Sequence, residues 1–564
     1  MLTKFPNKTT LLITIAMSLM LAIFIIHIIN INFSYYWFFL HSDIVTDLAF
    51  IREAANSISL FPEGWAHINE MRFIYVTTPA ILFYWITGNV HLAYSLAVSF
   101  MLIVNVALLY YMLSFKKRNA FIIFSGAIMF LMFFSRYQIF SVFSILFVNG
   151  SLSVHLATVF LTIGVYLRIK YKTNGAFRGE KILWVITLLL AFAQGIQSTR
   201  MLGILYAPLL IVELIPVLRS VNNKQYKING AGMLYALLAF LLNGLGMFVI
   251  SRLIDSGAVI VEASSITFRA RLATTDLFIE RFLDAISTLF HTFGLIGGDD
   301  LVSTGGLIFS IRISIIFAII LIYANIQKDD ADRNLANVLV ATVISSVILQ
   351  ALTTIGMGER FNFTATSLMA ALFVIVLTNI AENISTRNEL SIKEDKSDKL
   401  SLREALASLL ELHNIQMYIA GVGVILVIVG SLLSMNNLGT ERNYSLVEDR
   451  ERIVEFLAEE NLTVGYGAFW QGLVISGVAN WDVIVIPFRS NSGVVGNPLR
   501  QGVSYHDFFH NENRVFLIAS DAHIEEAYTD DRMGPVLEQG ERHDFPGRWV
   551  VYIFEFNPWA DFKH

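Results

Sequence analysis

The feature of this sequence that most limits its fold is a series of apolar runs, each about as long as a membrane-crossing helix. A bilayer core about 30 Å thick needs about 20 helical residues to cross it. We therefore predict an α-helical polytopic membrane protein with about 11 transmembrane helices. The predicted spans are 10–31, 91–115, 120–135, 152–168, 182–198, 201–217, 231–253, 304–325, 335–355, 363–381 and 415–435.

The composition supports this class and excludes several others. Of the 564 residues, 55% are hydrophobic and 15% are charged, whereas roughly 25% of a soluble protein is charged. A soluble globule could not bury so much apolar surface. The net charge of −5 and the lack of a long basic tract exclude a nucleic-acid-binding protein. The absence of cysteine excludes disulfides, iron–sulfur clusters and thiol nucleophiles.

The distribution of Lys and Arg predicts the orientation. Placing the N-terminus in the cytoplasm puts basic clusters such as 116–118 and 168–181 inside, whereas the outer loops before the last span contain Arg but no Lys. The first span is too long for a cleaved signal peptide. An odd number of spans then puts the C-terminus outside. The layout and the lack of cysteine suggest a multi-pass protein of a bacterial plasma membrane.

The chain divides into a membrane domain, 1–435, and a small extracytoplasmic α/β domain, 436–564. The membrane domain contains a first outer loop, 41–90, a second outer loop, 254–303, and an inner amphipathic linker, 382–414. Residues 73–87 are apolar but short, and we expect an interfacial or re-entrant helix there. The C-terminal part has short β-rich runs bounded by turn residues, at 483–486, 515–518 and 549–554, and a helical pattern at 446–460.

The charged residues in or near the bilayer gather on the outer side, which points to a functional site there. Asp43 and Asp47 are four residues apart, so they share one face of a helix for which Ser42 is the expected N-cap. A carboxylate there can accept a proton from a hydroxyl group. Alternatively, Asp in a first helical turn complements the helix dipole and has no catalytic role.

Arginines at the outer ends of spans are candidates for phosphate binding. Arg360, in the segment Gly356-Met357-Gly358-Glu359-Arg360-Phe361, and Arg200 have planar guanidinium groups that suit a lipid phosphate. Arg360 could instead extend to the interface or pair with Glu359. Asp299 and Asp300 could hold a divalent cation, but a solvated loop is the favoured reading, and we expect no metal site.

The layout resembles the GT-C superfamily of membrane glycosyltransferases, which use sugars linked to polyprenyl phosphate. The resemblance covers the whole chain and is carried by a few motifs. They are the acidic start of the first outer loop, His41-Ser42-Asp43 with Asp47, the late outer pair Arg360-Phe361, and the outer C-terminal domain.

The resemblance implies an inverting single displacement at the outer face. Arg360, helped by Arg200, would bind the phosphate of a polyprenyl-phosphate-linked sugar, and Asp43 or Asp47 would be the base. The acceptor would be a cell-envelope glycan or another lipid-linked molecule, and neither a cofactor nor a metal is required. The residues expected to contact the acceptor or the donor sugar are Glu70, Arg72, His155 and His291.

Other functions remain open at this point. A polysaccharide polymerase or ligase would also act on lipid-linked glycans outside the cell. A transporter or flippase of lipid-linked sugars would have charges near the bilayer midplane and an internal repeat. The sequence shows few such charges and no such repeat. A non-catalytic envelope receptor would use the C-terminal domain for binding.

Overall fold

The computed structural model describes most of the helical part and much of the C-terminal part. The described residues are 8–34, 37, 40–60, 62, 65–67, 71–72, 74–115, 150, 152–171, 178–223, 230–261, 277–292, 330–353, 362–372, 375, 444–488, 512–520, 524 and 534–560. The predicted spans 120–135, 304–325 and 415–435 and the predicted linker 382–414 lie outside these residues, so the total of eleven spans stays a prediction.

The N-terminal three quarters of the described chain is helical, apart from two short strands. The helices are α1 Lys8–Ser34, α2 Ser42–Ser57, α3 Thr77–Thr87, α4 Val90–Leu113, α5 Ser153–Tyr171, α6 Arg178–Gln197, α7 Ala207–Asn223, α8 Gly230–Asp255, α9 Phe278–Thr292, α10 Asp330–Leu352 and α11 Phe363–Leu372. A π-helical turn, Leu202–Tyr206, leads into α7. The strands β1 Ala66–His67 and β2 Ile260–Val261 pair in parallel.

Four of the described helices are long and apolar enough to cross a membrane. They are α4, α5, α8 and the Arg333–Leu352 part of α10. Each coincides with a predicted span, so the prediction of a polytopic helical membrane protein is confirmed at these positions. Helix α3 has 11 residues, which is too short for a span. It agrees with the short helix expected between 73 and 87.

The chain forms two compact units. The first contains Met1–Ile28, Met101–Phe248 and Ala270–Glu441, and the second contains Ile29–Phe100, Val249–Arg269 and Arg442–His564. The second unit therefore combines the predicted first outer loop with the C-terminal segment. The predicted domain boundary at 435 stays a prediction.

Within the first unit, α6 and α8 approach closely at two glycines. A methyl group on Gly195 would overlap the carbonyl oxygen of Asn243, and one on Gly246 would overlap the carbonyl oxygen of Phe192. The Nδ2 of Asn243 donates to the Ala191 carbonyl oxygen at 2.9 Å. Small residues and interhelical hydrogen bonds of this kind hold helices together in membranes.

The C-terminal segment of the second unit contains a five-stranded mixed sheet. The elements are α12 Tyr444–Glu459, β3 Val464–Ala468, α13 Phe469–Val478, β4 Ile484–Phe488, β5 Val515–Ser520, the single turn α14 Gly534–Leu537, β6 Glu541–Phe545 and β7 Trp549–Phe554. The strand order is β4-β3-β5-β7-β6. Strand β3 is parallel to β4 and β5, and β7 is antiparallel to β5 and β6.

Both faces of this sheet carry an apolar core. Tyr466, Leu517 and Tyr552 pack on one face, and Phe516 and Val551 pack on the other. Adjacent residues of β5 thus point to opposite faces, as the two-residue period of a strand requires. The strands expected near 483, 515 and 549 and the helix expected at 446–460 are all present.

Candidate functional site

Helix α2, which carries both candidate aspartates, begins after a histidine cap. His41 has an extended backbone (φ −137°, ψ 171°), and its Nδ1 accepts the backbone N–H of Asp43 at 3.2 Å. The prediction that Ser42 is the N-cap is wrong, because Ser42 is the first residue of the helix and its carbonyl oxygen accepts the Thr46 hydroxyl at 2.8 Å. The cap is therefore a titratable imidazole.

Asp47 is buried and paired with an arginine of the same unit. The Nε of Arg72 lies 2.5 Å from Oδ1 of Asp47, and the two side chains are 12% and 3% exposed. The hydroxyl of Thr77 donates to the Arg72 carbonyl oxygen at 2.6 Å, which fixes the arginine backbone. Burial lowers the pKa of Arg72, but the nearby groups Asp47, Tyr75 and Asp43 raise it by more. The pKa of Arg72 is therefore above its ordinary value.

Asp43 lies one turn before Asp47 but in a different environment. It is half-buried, and its carboxylate makes no hydrogen bond or ion pair with any other described residue. The two carboxylates of the predicted pair therefore differ: one is bound by Arg72, and the other has no such partner in the part of the chain that the structure describes.

The His41 imidazole is buried between groups of opposite charge. Burial lowers the pKa of His41; Asp43 acts to raise it and Arg450 acts to lower it further. A neutral imidazole keeps Nδ1 as an acceptor, whereas a protonated ring donates from both nitrogens. The lowered pKa therefore preserves the cap on the Asp43 amide.

Two further predicted site residues are buried in the first unit. His155, near the start of α5, is 0% exposed, and Arg200, just before the π-helical turn, is 4% exposed. The backbone N–H of Arg200 donates to the Ser198 hydroxyl at 3.4 Å. Turns of this kind inside helices occur frequently at functional sites. A buried arginine here is compatible with the predicted phosphate-binding role, which stays a prediction.

The side chains of the other predicted site residues lie outside the part of the chain that the structure describes. Glu70 and Arg360 lie outside the described residues, as do Asp299 and Asp300. His291 is in the last turn of α9, and its side chain is outside the described part. Within the ranges given above, no group of three metal-ligating side chains comes together.

One buried residue near the site was not predicted from the sequence. Arg450 of α12 donates from Nη1 to the carbonyl oxygen of Leu40, next to the cap, at 3.0 Å. Nothing in the local sequence distinguishes Arg450 from Arg452, which lies on the same helix and is exposed.

The fold has known counterparts, although no protein-family profile and no curated protein sequence matches this chain. ArnT from Cupriavidus metallidurans, in a crystal structure with bound undecaprenyl phosphate, is similar with a TM-score of 0.52 and 10% identity over 94% of this chain and 98% of that chain. Its apo structure gives a TM-score of 0.50 and 10% identity over 94% and 97% of the two chains.

An Archaeoglobus fulgidus oligosaccharyltransferase tethered with an acceptor peptide matches more weakly, with a TM-score of 0.39 and 13% identity over 92% of this chain and 70% of that one. The fold assignment rests on the two ArnT structures. The predicted resemblance is confirmed at the level of the fold: this chain shares the fold of ArnT.

Proposed function

We propose that this protein transfers a sugar from a polyprenyl-phosphate donor to the hydroxyl group of an acceptor at the outer face of the membrane. The observation that carries the proposal is the pair of unlike carboxylates on α2: Asp47 is held by Arg72, whereas the Asp43 carboxylate has no ion-pair or hydrogen-bond partner among the described residues. The GT-C-type fold and the undecaprenyl phosphate bound by ArnT support the class of donor.

The proposed reaction is a single displacement in which Asp43 is the base. The acceptor hydroxyl oxygen forms a bond to the anomeric carbon of the sugar. The bond between that carbon and the phosphate oxygen breaks, and the polyprenyl phosphate leaves with the electron pair. The hydroxyl proton passes to the Asp43 carboxylate. Because the hydroxyl attacks the face opposite the departing phosphate in one step, the configuration at the anomeric carbon inverts. The phosphate is a good leaving group and needs no general acid.

Asp47 has a different role in this scheme. Because its carboxylate is bound to Nε of Arg72, we assign it to holding that guanidinium in a fixed orientation. A positioned cation of this type stabilises negative charge that develops on a phosphate. Phosphate contacts of Arg200 and Arg360 and sugar contacts of Glu70, Arg72, His155 and His291 are proposed as well, as the sequence predicts.

The test uses purified full-length protein with two readouts. Binding of undecaprenyl phosphate is measured by native mass spectrometry, and transfer is measured with a panel of polyprenyl-phosphate sugars by release of the free polyprenyl phosphate. Removing a general base costs about 10²- to 10⁴-fold in rate. We expect a loss of this size for Asp43→Asn, with undecaprenyl phosphate binding retained.

The matched control is Glu53→Gln, which removes one carboxylate from the same helix. Glu53 is half-buried and forms no ion pair with another described residue, so this variant should transfer sugar at the wild-type rate. Full transfer by Asp43→Asn would eliminate Asp43 as the base. A wild-type protein that neither binds undecaprenyl phosphate nor turns over any donor of the panel would eliminate the proposed function.

A further inference from the structure

The C-terminal segment makes three contacts along helix α2: at Leu40 just before the helix, at Val45 in its first turn and at Arg52 further along. The first is a hydrogen bond. Nη1 of Arg450 donates to the Leu40 carbonyl oxygen at 3.0 Å, across 410 positions of sequence. Leu40 directly precedes the cap residue His41, so this bond holds the chain where it enters the helix. Asp43 follows within the first turn.

The second contact, in the first turn of α2, depends on a glycine. Helix α13 packs against α2, and a methyl group on Gly477 would lie 2.6 Å from Cγ2 of Val45, which is fully buried. The carbonyl oxygen of Gly477 is 3.1 Å from Nε2 of His91 in α4. Any larger side chain at 477 would move α13 away from α2 between Asp43 and Asp47.

The third contact, at Arg52, is made by a strained turn. Asn480 and Trp481 are consecutive non-glycine residues with left-handed backbones, φ 49° and 66°. For a tryptophan this conformation is costly and persists only where the surrounding structure imposes it. The turn contacts Arg52 of α2 in two ways. Nη1 of Arg52 lies 3.5 Å from the Asn480 carbonyl oxygen, and the Arg52 guanidinium lies over the Trp481 ring, 4.7 Å from its centroid.

The burial of the Arg450 side chain is energetically unfavourable. It is 9% exposed, it has no carboxylate partner among the described residues, and its Nε is buried without a hydrogen-bond partner there. Burial lowers the pKa of Arg450 to about 10. A buried cation with so few partners contributes little to stability. Stability therefore does not account for the burial of Arg450, and its contact with the residue before α2 suggests a different role.

We propose that Arg450, Gly477 and Trp481, together called the C-terminal clamp, are positioning residues that fix α2 so that Asp43 meets the acceptor hydroxyl. The inference rests on the proposed function and deepens it. It assigns to the C-terminal segment an effect on the rate of the chemical step. The clamp touches the base helix at three points and need not touch the substrate.

The first test is independent of catalysis. Hydrogen exchange of full-length protein is followed by mass spectrometry in peptides covering 42–57. We expect Arg450→Met and Gly477→Val to raise the exchange rate there at least tenfold. Arg450→Lys, which keeps a donor for the Leu40 carbonyl oxygen, should restore much of the protection. Arg452→Met, an exposed change on the same helix, is the control and should leave the exchange at the wild-type rate.

Unchanged exchange at 42–57 in both clamp variants would overturn the proposal, whatever their activity. If Gly477→Val fails to fold, Trp481→Leu takes its place, with Trp481→Phe as the variant that keeps an aromatic ring over Arg52. Faster exchange in Trp481→Leu than in Trp481→Phe supports the clamp, and equal wild-type rates in both overturn it.

The second test separates positioning from substrate binding. For a donor that the wild type uses, Arg450→Met should lower kcat at least tenfold with KM for the acceptor unchanged, and Arg450→Lys should recover most of kcat. A raised KM with unchanged kcat would overturn positioning in favour of acceptor binding. If the wild type transfers no sugar, the proposed function fails, and the exchange experiment still decides the clamp.

Discussion

The Nε of Arg72 and the Oδ1 of Asp47 are 2.5 Å apart, 25 residues from one another in sequence, with both side chains largely withdrawn from solvent. Breaking a buried ion pair by removing one charge leaves the other unpaired in a poorly solvated site. Removing one member of the pair should therefore destabilise the unit, and the intact pair fixes the orientation of the arginine.

Asp47→Asn should lower the free energy of unfolding by about 3 kcal/mol, the lower end of the range for a broken buried pair. The measurement is the thermal midpoint in detergent. The double variant Asp47→Leu with Arg72→Met removes both charges and should recover most of that loss. An Asp47→Asn protein as stable as the wild type would show that the pair is not a stabilising contact.

The stability of the protein should fall on acidification because of His41. Its pKa is lowered by burial from 6.5, with Asp43 opposing and Arg450 adding to the shift. Below pH 6.5 the unfolded chain takes up a proton before the folded chain does, so the stabilisation present above 6.5 is lost as the pH falls towards the folded-state pKa. The thermal midpoint should therefore drop between pH 7 and pH 5.

His41→Asn is the variant that isolates this effect. Asparagine is a favourable N-cap but does not titrate, so the variant should keep the cap and lose this part of the pH dependence. Equal pH dependence of the midpoint in wild type and His41→Asn would rule out His41 as the titrating group.

Ile58→Gly should stabilise the protein. Ile58 caps the C-terminus of α2 with a left-handed backbone (φ 51°), and its side chain is 82% exposed. The left-handed conformation costs an L-residue roughly 1–2 kcal/mol, and glycine avoids most of it. We expect a gain of about 1 kcal/mol in the free energy of unfolding. Ser57→Gly, one residue earlier inside the helix, should instead be destabilising.

Gly246→Ala should weaken the packing of α6 against α8. The added methyl group would meet the carbonyl backbone of Phe192 and the nitrogen of Ile196, and overpacking of this kind costs typically about 1–3 kcal/mol. Gly244→Ala, two residues earlier on α8, has no atom within 4 Å of the new methyl group and is the control. Equal thermal midpoints for the two variants would contradict the close approach.

Much of the architecture follows from local patterns in the sequence. The apolar runs near 91, 152 and 231 predict α4, α5 and α8 because a helix in lipid must satisfy its backbone internally over the full bilayer width. The β-rich runs near 483 and 515 predict β4 and β5 because short apolar segments between turn residues favour strands.

The site could be predicted only in part. Spacing correctly identified Asp43 and Asp47 as residues of one helix, but it could not distinguish the open carboxylate from the paired one, since the difference comes from Arg72. The cap was misassigned because serine is favoured at N-caps, whereas here the His41 ring reaches the Asp43 amide. Arg450 was missed because its contact is with a residue 410 positions away.

That long separation has a consequence for how the protein is made. Leu40, His41 and Asp43 leave the ribosome early, and the arginine that holds their backbone is translated more than 400 residues later. In the predicted topology, the last segment must also cross the bilayer before Arg450 can reach Leu40. A nascent chain therefore inserts its helices while the entry to α2 still lacks this support, and the geometry of the proposed site is completed only after Arg450 has been translated.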